Sequence, residues 1–263
     1  DQPNNAFSLN VLQPGEVATT AGTSGVIYGV ADELFYDHQS RINRFAHVNH
    51  RDTRKRIGIL LCINGTGIFN RWIKNIAGSH LTYTGLNEAA SRVPVGSEGL
   101  MALPFGNGAE RLFNNRLIGA GFSHIDLNVH TLGHMARAVQ EGIAFSFRYG
   151  LDIMRANGIR PTVIRAGKAN LFLSEVFTQS FTSVNDVALE FYEGDGSFGA
   201  AIGAGIGAGM YADAESALKQ RKPVGVSEPV SVNLYDELYE NWKEGLERQL
   251  RQEMPAGEPV IPD

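Results

Sequence analysis

"EVATTAGTSGVIYGVA", residues 16–31, sets two short runs of small and β-branched residues on either side of Gly22-Thr23-Ser24-Gly25. Two such runs broken by a glycine-containing turn predict a β-hairpin. A tight turn needs one or two glycines; it does not need two hydroxyls between them. Glycine lets a backbone approach a ligand closely, and successive N–H groups in a turn of this kind form a concave site for an anion. The hairpin is therefore expected to open a sheet and to be a candidate anion site.

Further along, "RIGILLCI" (56–63) is almost continuously apolar and predicts a buried strand. It runs into "NGTG" (64–67) and then a helix beginning "IFNRWIKNI". "LMALPF" (100–105) predicts a short strand closed by "GNG". From Thr131 the apolar positions Met135, Ala138, Val139, Gly142, Ile143, Phe145, Tyr149, Ile153 and Met154 follow helical spacing, and "NGIRP" stops that helix near Asn157. "TVIRAG" (162–167) and "DVALEFY" (186–192) predict strands; "LFLSEVFTQSF" (171–181), "FGAAIGAGIGAGMY" (198–211) and a charged stretch from about Asn233 to Glu253 predict helices. Strand, turn and helix alternate, which places the chain in the α/β class, as one domain.

Composition narrows the function classes. The 263 residues are 43% apolar and 19% charged with a net charge of −5, ordinary for a globular domain. With no basic run, nucleic-acid binding has no electrostatic footprint. No apolar stretch reaches the ~18 residues of a membrane helix, so no membrane partner is expected. The single cysteine, Cys62, sits within the apolar run 56–63 and is expected to be a buried, reduced thiol, which suits a cytoplasmic location. The chain opens on Asp1 rather than methionine, as a domain or a cut chain would.

Three glycine-containing turns follow predicted strands: 22–25, 64–67 and 165–170. In each, backbone N–H groups are candidates to hold phosphate, with Thr23, Ser24 and Thr66 adding hydroxyls and the helices after Gly67 and Gly167 adding their positive ends. Other nucleotide motifs are absent: there is no G-x-x-x-x-G-K-[ST], and the run at 199–209 makes a poor dinucleotide fingerprint. Gly199, Gly203 and Gly207 read instead as a face for close helix packing. The pairs His47/His50 and His130/His134 lack the further ligands a metal site needs, and no residue is assigned to a metal. Glu110-Arg111 reads as an exposed loop pair or as facing a cleft.

The order of these motifs carries a resemblance. "DQPNNA" at the start, then "AGTSGVIYGV", "INGTGIFNRW", "LPFGNGAER", "HMARAVQEGIAFSF" and "SFGAAIGAG" resemble the C-terminal half of the FGGY carbohydrate kinases, and among them are most similar to the xylulokinases. The resemblance runs from Asp1 to about Met210. It implies an actin-like (RNase H-like) ATPase domain, a mixed β-sheet flanked by helices, over residues 1–263. It also implies phosphorylation of a sugar hydroxyl, D-xylulose to xylulose 5-phosphate, with ATP and Mg²⁺. Asp1 falls on the family's catalytic aspartate, the general base. Gly22, Thr23 and Ser24 match the hairpin that holds the ATP phosphates, Gly67 matches a second phosphate contact, and Ala166, Gly167 and Asn170 match the adenosine turn.

The chain departs from the family in two places. The usual "GGG" or "GGA" of the adenosine turn is here Arg165-Ala166-Gly167-Lys168, whose side chains are expected to narrow the adenine slot or alter nucleotide preference. "FSHID" (122–126) replaces the usual "F-x-G-L". The family's N-terminal domain, with the first phosphate loop, a Mg²⁺-linked acidic residue and most sugar contacts, is not within these residues, so the chain alone is expected to be inactive. The alternative is a regulatory or degenerate nucleotide-binding module on the same fold, without sugar kinase activity. The long helix and the C-terminal helix are candidates for a homodimer contact.

Overall fold

A computed structural model of the chain describes residues 2–252. Asp1, the expected general base, lies outside the described residues. The chain opens with α1 (Gln2–Ser8), then the hairpin β1 (Glu16–Ala21) and β2 (Gly25–Ala31), followed by β3 (Asn43–Ala46) and β4 (Ile57–Ile63). Next come α2 (Gly67–Ile76), α3 (Tyr83–Ser91), β5 (Met101–Phe105), β6 (Gly119–Ser123) and the long α4 (Leu132–Ala156). The last part holds β7 (Val163–Gly167), α5 (Glu175–Asn185), β8 (Leu189–Tyr192), α6 (Gly196–Gly207), α7 (Ala214–Leu218), β9 (Gly225–Ser227) and α8 (Val232–Gln252).

Seven strands make one mixed sheet in the order β3-β4-β2-β1-β7-β8-β9. The hairpin pairs Ala21 with Gly25, and β2 runs antiparallel to β4 along its whole length. On the other side β1 is parallel to β7 and β7 to β8. The hairpin tip and the C-terminal end of β7 therefore leave the sheet at the same edge. Period-two alternation sorts β4: Ile59, Leu61 and Ile63 enter the main core, while Leu60 packs on the opposite face with Ala18, Tyr28 and Val30 under α1. Cys62, on that second face, is free and only half-buried, and burial pushes its thiol above the usual range.

α4 is the spine. It begins where Thr131 N–H donates to His134 Nδ1 (3.1 Å) and ends at Asn157, with Gly158 at φ +87° turning the chain away. Buried residues on almost every side, from Gly133 to Met154, are covered by α2, α3, α5, α8 and β5. β5 pairs only with β6, in a separate two-stranded sheet against α4, rather than joining the main sheet. α8 lays Tyr235, Tyr239, Trp242 and Leu246 onto the core, and the Trp242 indole N–H donates to Ala102 O at 2.9 Å.

Two local expectations are corrected. The helix expected from residue 171 begins at Glu175, after a short 3-10 turn at Asn170–Leu173, because Ser174 takes the cap position with its oxygen toward Phe177 N–H. The packing face expected of Gly199, Gly203 and Gly207 is real only at Gly199, where a Cβ would drive into the Asn4 carbonyl of α1; a Cβ at Gly203 or Gly207 would meet nothing within 4 Å.

Candidate functional site

The tip of the β1–β2 hairpin rests on the start of α2. Gly67 N–H donates to Gly22 O (2.9 Å), Ile68 N–H to Thr23 O (3.1 Å), and the Thr66 hydroxyl to Gly22 O (3.1 Å). The contact is so close that a Cβ on Gly67 would collide with the Gly22 carbonyl, so only glycine fits there. These bonds correct one expectation: the first N–H groups of α2 and the buried Thr66 hydroxyl brace the hairpin instead of facing an anion. The N–H groups of Thr23 and Ser24 are taken by no carbonyl in turns or loops among the described residues. Thr23 is exposed at the tip.

The 64–67 turn does hold an anion, and it is the protein's own. Glu110, fully buried, accepts Asn64 N–H at 3.0 Å and Gly65 N–H at 2.9 Å, one on each carboxylate oxygen. Burial pushes its carboxyl up to about 6, against the pull of these two hydrogen bonds. Glu110 is thus no exposed partner of Arg111, which turns away to Asn43 Oδ1 (2.6 Å) and Ser40 O (2.7 Å).

A cleft of about 590 Å³ opens beside the hairpin tip. Gly22, Thr23, Gly67 and Asn170 all line it, so the first turn, the second and the end of the third converge from distant parts of the chain. Gly22 lies close enough that an added Cβ would stand 3.8 Å from Asn170 Nδ2. Ser24, Ala166 and Gly167 do not line the cleft: Ala166 is buried within β7, and Gly167 closes that strand opposite Tyr192. Arg165 does not narrow it either. Its guanidinium turns to Glu16 (3.0 Å) and Glu190 (2.8 Å), on flanking strands of the sheet.

The opposite wall was not among the sequence candidates. It is built by α3, with Asn87 and Glu88, and by Asn70 and Arg71 of α2 and Ser174 before α5. Thr84, Asn87, Glu88 and Ser91 recur at helical spacing, a polar stripe that in sequence is indistinguishable from a solvated helix face. Asn70 is 5% exposed and its Oδ1 is a buried polar atom with no hydrogen-bond partner.

The four paired histidines make hydrogen bonds within the fold. His47 is buried with Nδ1 2.9 Å from the Tyr28 hydroxyl, and desolvation holds its imidazole down to about 4. His134, without a partner in the sequence reading, meets Glu98 Oε2 at 2.7 Å. Among the described residues no group of three or more His, Cys, Asp or Glu side chains is placed to hold a metal ion, and no helix is long and apolar enough to cross a membrane.

No family model matches the chain. It is 28% identical over 258 residues to the xylulose kinase of Staphylococcus epidermidis, covering 96% of this chain and 50% of that protein. The crystal structure of xylulose kinase from Rhodospirillum rubrum superimposes with a TM-score of 0.82 at 22% identity, over 96% of this chain and 50% of that one. Plasmodium falciparum glycerol kinase with ADP does so with a TM-score of 0.79 at 20% identity, over 95% and 50%. The chain spans about a third to a half of the length of the curated relatives it matches. Its mixed sheet with flanking helices is the fold of sugar kinases of the actin-like ATPase class, and the chain is a homologue of the xylulose kinases of the FGGY carbohydrate kinase family along about half of their length.

Proposed function

We propose that this chain is the nucleotide-side, C-terminal half of an ATP-dependent sugar kinase whose acceptor is a ketopentose, D-xylulose. The observation that carries this is the convergence of Gly22, Thr23, Gly67 and Asn170 on one cleft. In this reading the N–H groups of Thr23 and, just outside the cleft lining, Ser24, which no backbone carbonyl takes among the described residues, bind phosphate oxygens together with the Thr23 hydroxyl; Gly67 holds the hairpin at the phosphate end, and Asn170 closes the nucleoside end. Ala166 and Gly167 act from beneath, as the strand end that sets where Asn170 turns.

Asp1 is the proposed general base. Its carboxylate takes the proton of a sugar hydroxyl as that oxygen forms a bond to the γ-phosphorus and the bond to the β–γ bridging oxygen breaks, leaving ADP. Positioning and charge stabilisation supply most of the rate in such transfers. Mg²⁺ neutralises charge on the phosphates when bound. With no carboxylate cluster among the described residues, it would be held by phosphate oxygens, water and acidic groups of the other half. That half would also bring most sugar contacts, which leaves the chain alone inactive. A cytoplasmic enzyme, with a homodimer contact through α8, completes the proposal.

The test is ATP consumption by a protein carrying both halves, against pentuloses, pentoses and polyols, with and without Asp1→Ala. The expected result is a pentulose-dependent rate that falls by several orders of magnitude in the variant. ATP binding with no sugar dependence would overturn the kinase reading in favour of a regulatory nucleotide-binding module.

A further inference from the structure

Gln140 lies on α4, fully buried, directly behind the wall that α3 presents to the cleft. Its amide joins two elements: the Ser174 hydroxyl donates to Gln140 Oε1 at 2.6 Å, and Gln140 Nε2 donates to Asn87 Oδ1 at 3.0 Å. Ser174 caps α5, accepting Phe177 N–H at 3.5 Å, and gives its own proton to Gln140 Oε1. Gln140 thus turns its oxygen to Ser174 and its NH₂ to Asn87, and Asn87 turns its oxygen to Gln140. What Asn87 has left for the cleft is its NH₂, for which no acceptor is present among the described residues. Asn70 of α2 lines the same cleft, with its Oδ1 buried and without a hydrogen-bond partner.

We propose that Gln140 is a positioning residue that holds the Asn87 amide as a hydrogen-bond donor in the cleft wall, so that the cleft selects a nucleoside presenting an acceptor at that point. The inference rests on the nucleotide reading of the cleft. Ring nitrogens and ribose oxygens of a purine nucleoside are acceptors of this kind; an exocyclic amine placed against Asn87 would meet donor with donor and be rejected.

Adenosine is the probe, because it carries no charge that a carboxylate variant would repel. The ¹⁵N-labelled chain is titrated with adenosine, 2′-deoxyadenosine and the 1-, 3- and 7-deaza analogues, following the Asn87 side-chain amide, assigned as the resonance missing in Asn87→Asp. The expected result is a shift of that resonance and at least a tenfold loss of affinity for one analogue, the one lacking the acceptor. Asn87→Asp keeps an oxygen toward Gln140 but turns the cleft-facing donor into an acceptor, and should weaken adenosine at least tenfold. Gln140→Met removes the clamp without touching the cleft, and should weaken adenosine several-fold and erase the discrimination between analogues. The analogue series needs only the unaltered chain, so a poorly folded variant does not decide the matter. Adenosine binding with no discrimination and no Asn87 shift would overturn the positioning role while leaving the nucleotide reading intact. Failure of both adenosine and ATP to bind would overturn both.

Discussion

The carboxylate of Glu110 takes the N–H of Gly65 at 2.9 Å, so the turn after β4 is filled by a side chain 45 residues away. A glycine turn built like a phosphate site is here a structural clasp between β4 and the segment after β5. Glu110→Gln leaves one of the two backbone N–H groups facing an amide NH₂. It should lower the unfolding free energy by about 1–3 kcal/mol, the cost of an unsatisfied buried donor, read by urea denaturation at pH 7.5.

Two buried groups tilt the acid stability in opposite directions. Glu110, raised to about 6, binds its proton more tightly when folded; its contribution is full below the ordinary carboxylate value and is lost as pH rises through about 6. His47, lowered to about 4, resists protonation when folded; its contribution is present above the ordinary imidazole value and is lost as pH falls toward about 4. Melting temperatures from pH 4.5 to 7 should therefore fall less steeply on acidification in His47→Phe than in the unaltered chain, and more steeply in Glu110→Gln.

Gly67→Ala forces a methyl group into the Gly22 carbonyl, and neither backbone can yield without breaking the bonds that hold the hairpin tip. The variant should keep its secondary structure by circular dichroism, lose about 1–3 kcal/mol of stability, as overpacking does, and lose at least tenfold in ATP affinity by calorimetry. Unchanged ATP affinity would mean that the tip is not where phosphate sits.

Arg165→Ala separates the strand from the cleft. Removing the guanidinium leaves Glu16 and Glu190 without their shared cation, and should cost about 1–3 kcal/mol. Nucleotide affinity should change less than twofold, because the side chain points away from the cleft. A large change in affinity would restore the expectation that the altered turn sets nucleotide preference.

Local pattern made much of this molecule readable in advance. The hairpin, β4 and α4 follow from glycine placement and hydrophobic period, and α4 ends within a residue of where Thr131 and Asn157 place it. What escaped the sequence depends on distance. Nothing near Asn64 or Gly65 announces that Glu110 will occupy their N–H groups, and nothing near Arg165 announces Glu16 and Glu190. The cleft wall escaped for another reason: a polar helical stripe facing a ligand and one facing water are the same string of residues. Asn87 acquires its meaning only from Gln140, on another helix, behind it.

The two tryptophans divide the molecule optically. Trp242 is fully buried against Phe105, Phe145 and Tyr239, and Trp72, one residue beyond the cleft-lining Arg71, is about half exposed. A water-soluble quencher reaches the second and not the first. The unquenched, blue-shifted emission therefore tracks whether α8 remains docked on the core, while the quenchable part reports on α2 beside the cleft. One fluorescence titration can follow ligand arrival and global unfolding as separate events, without a label.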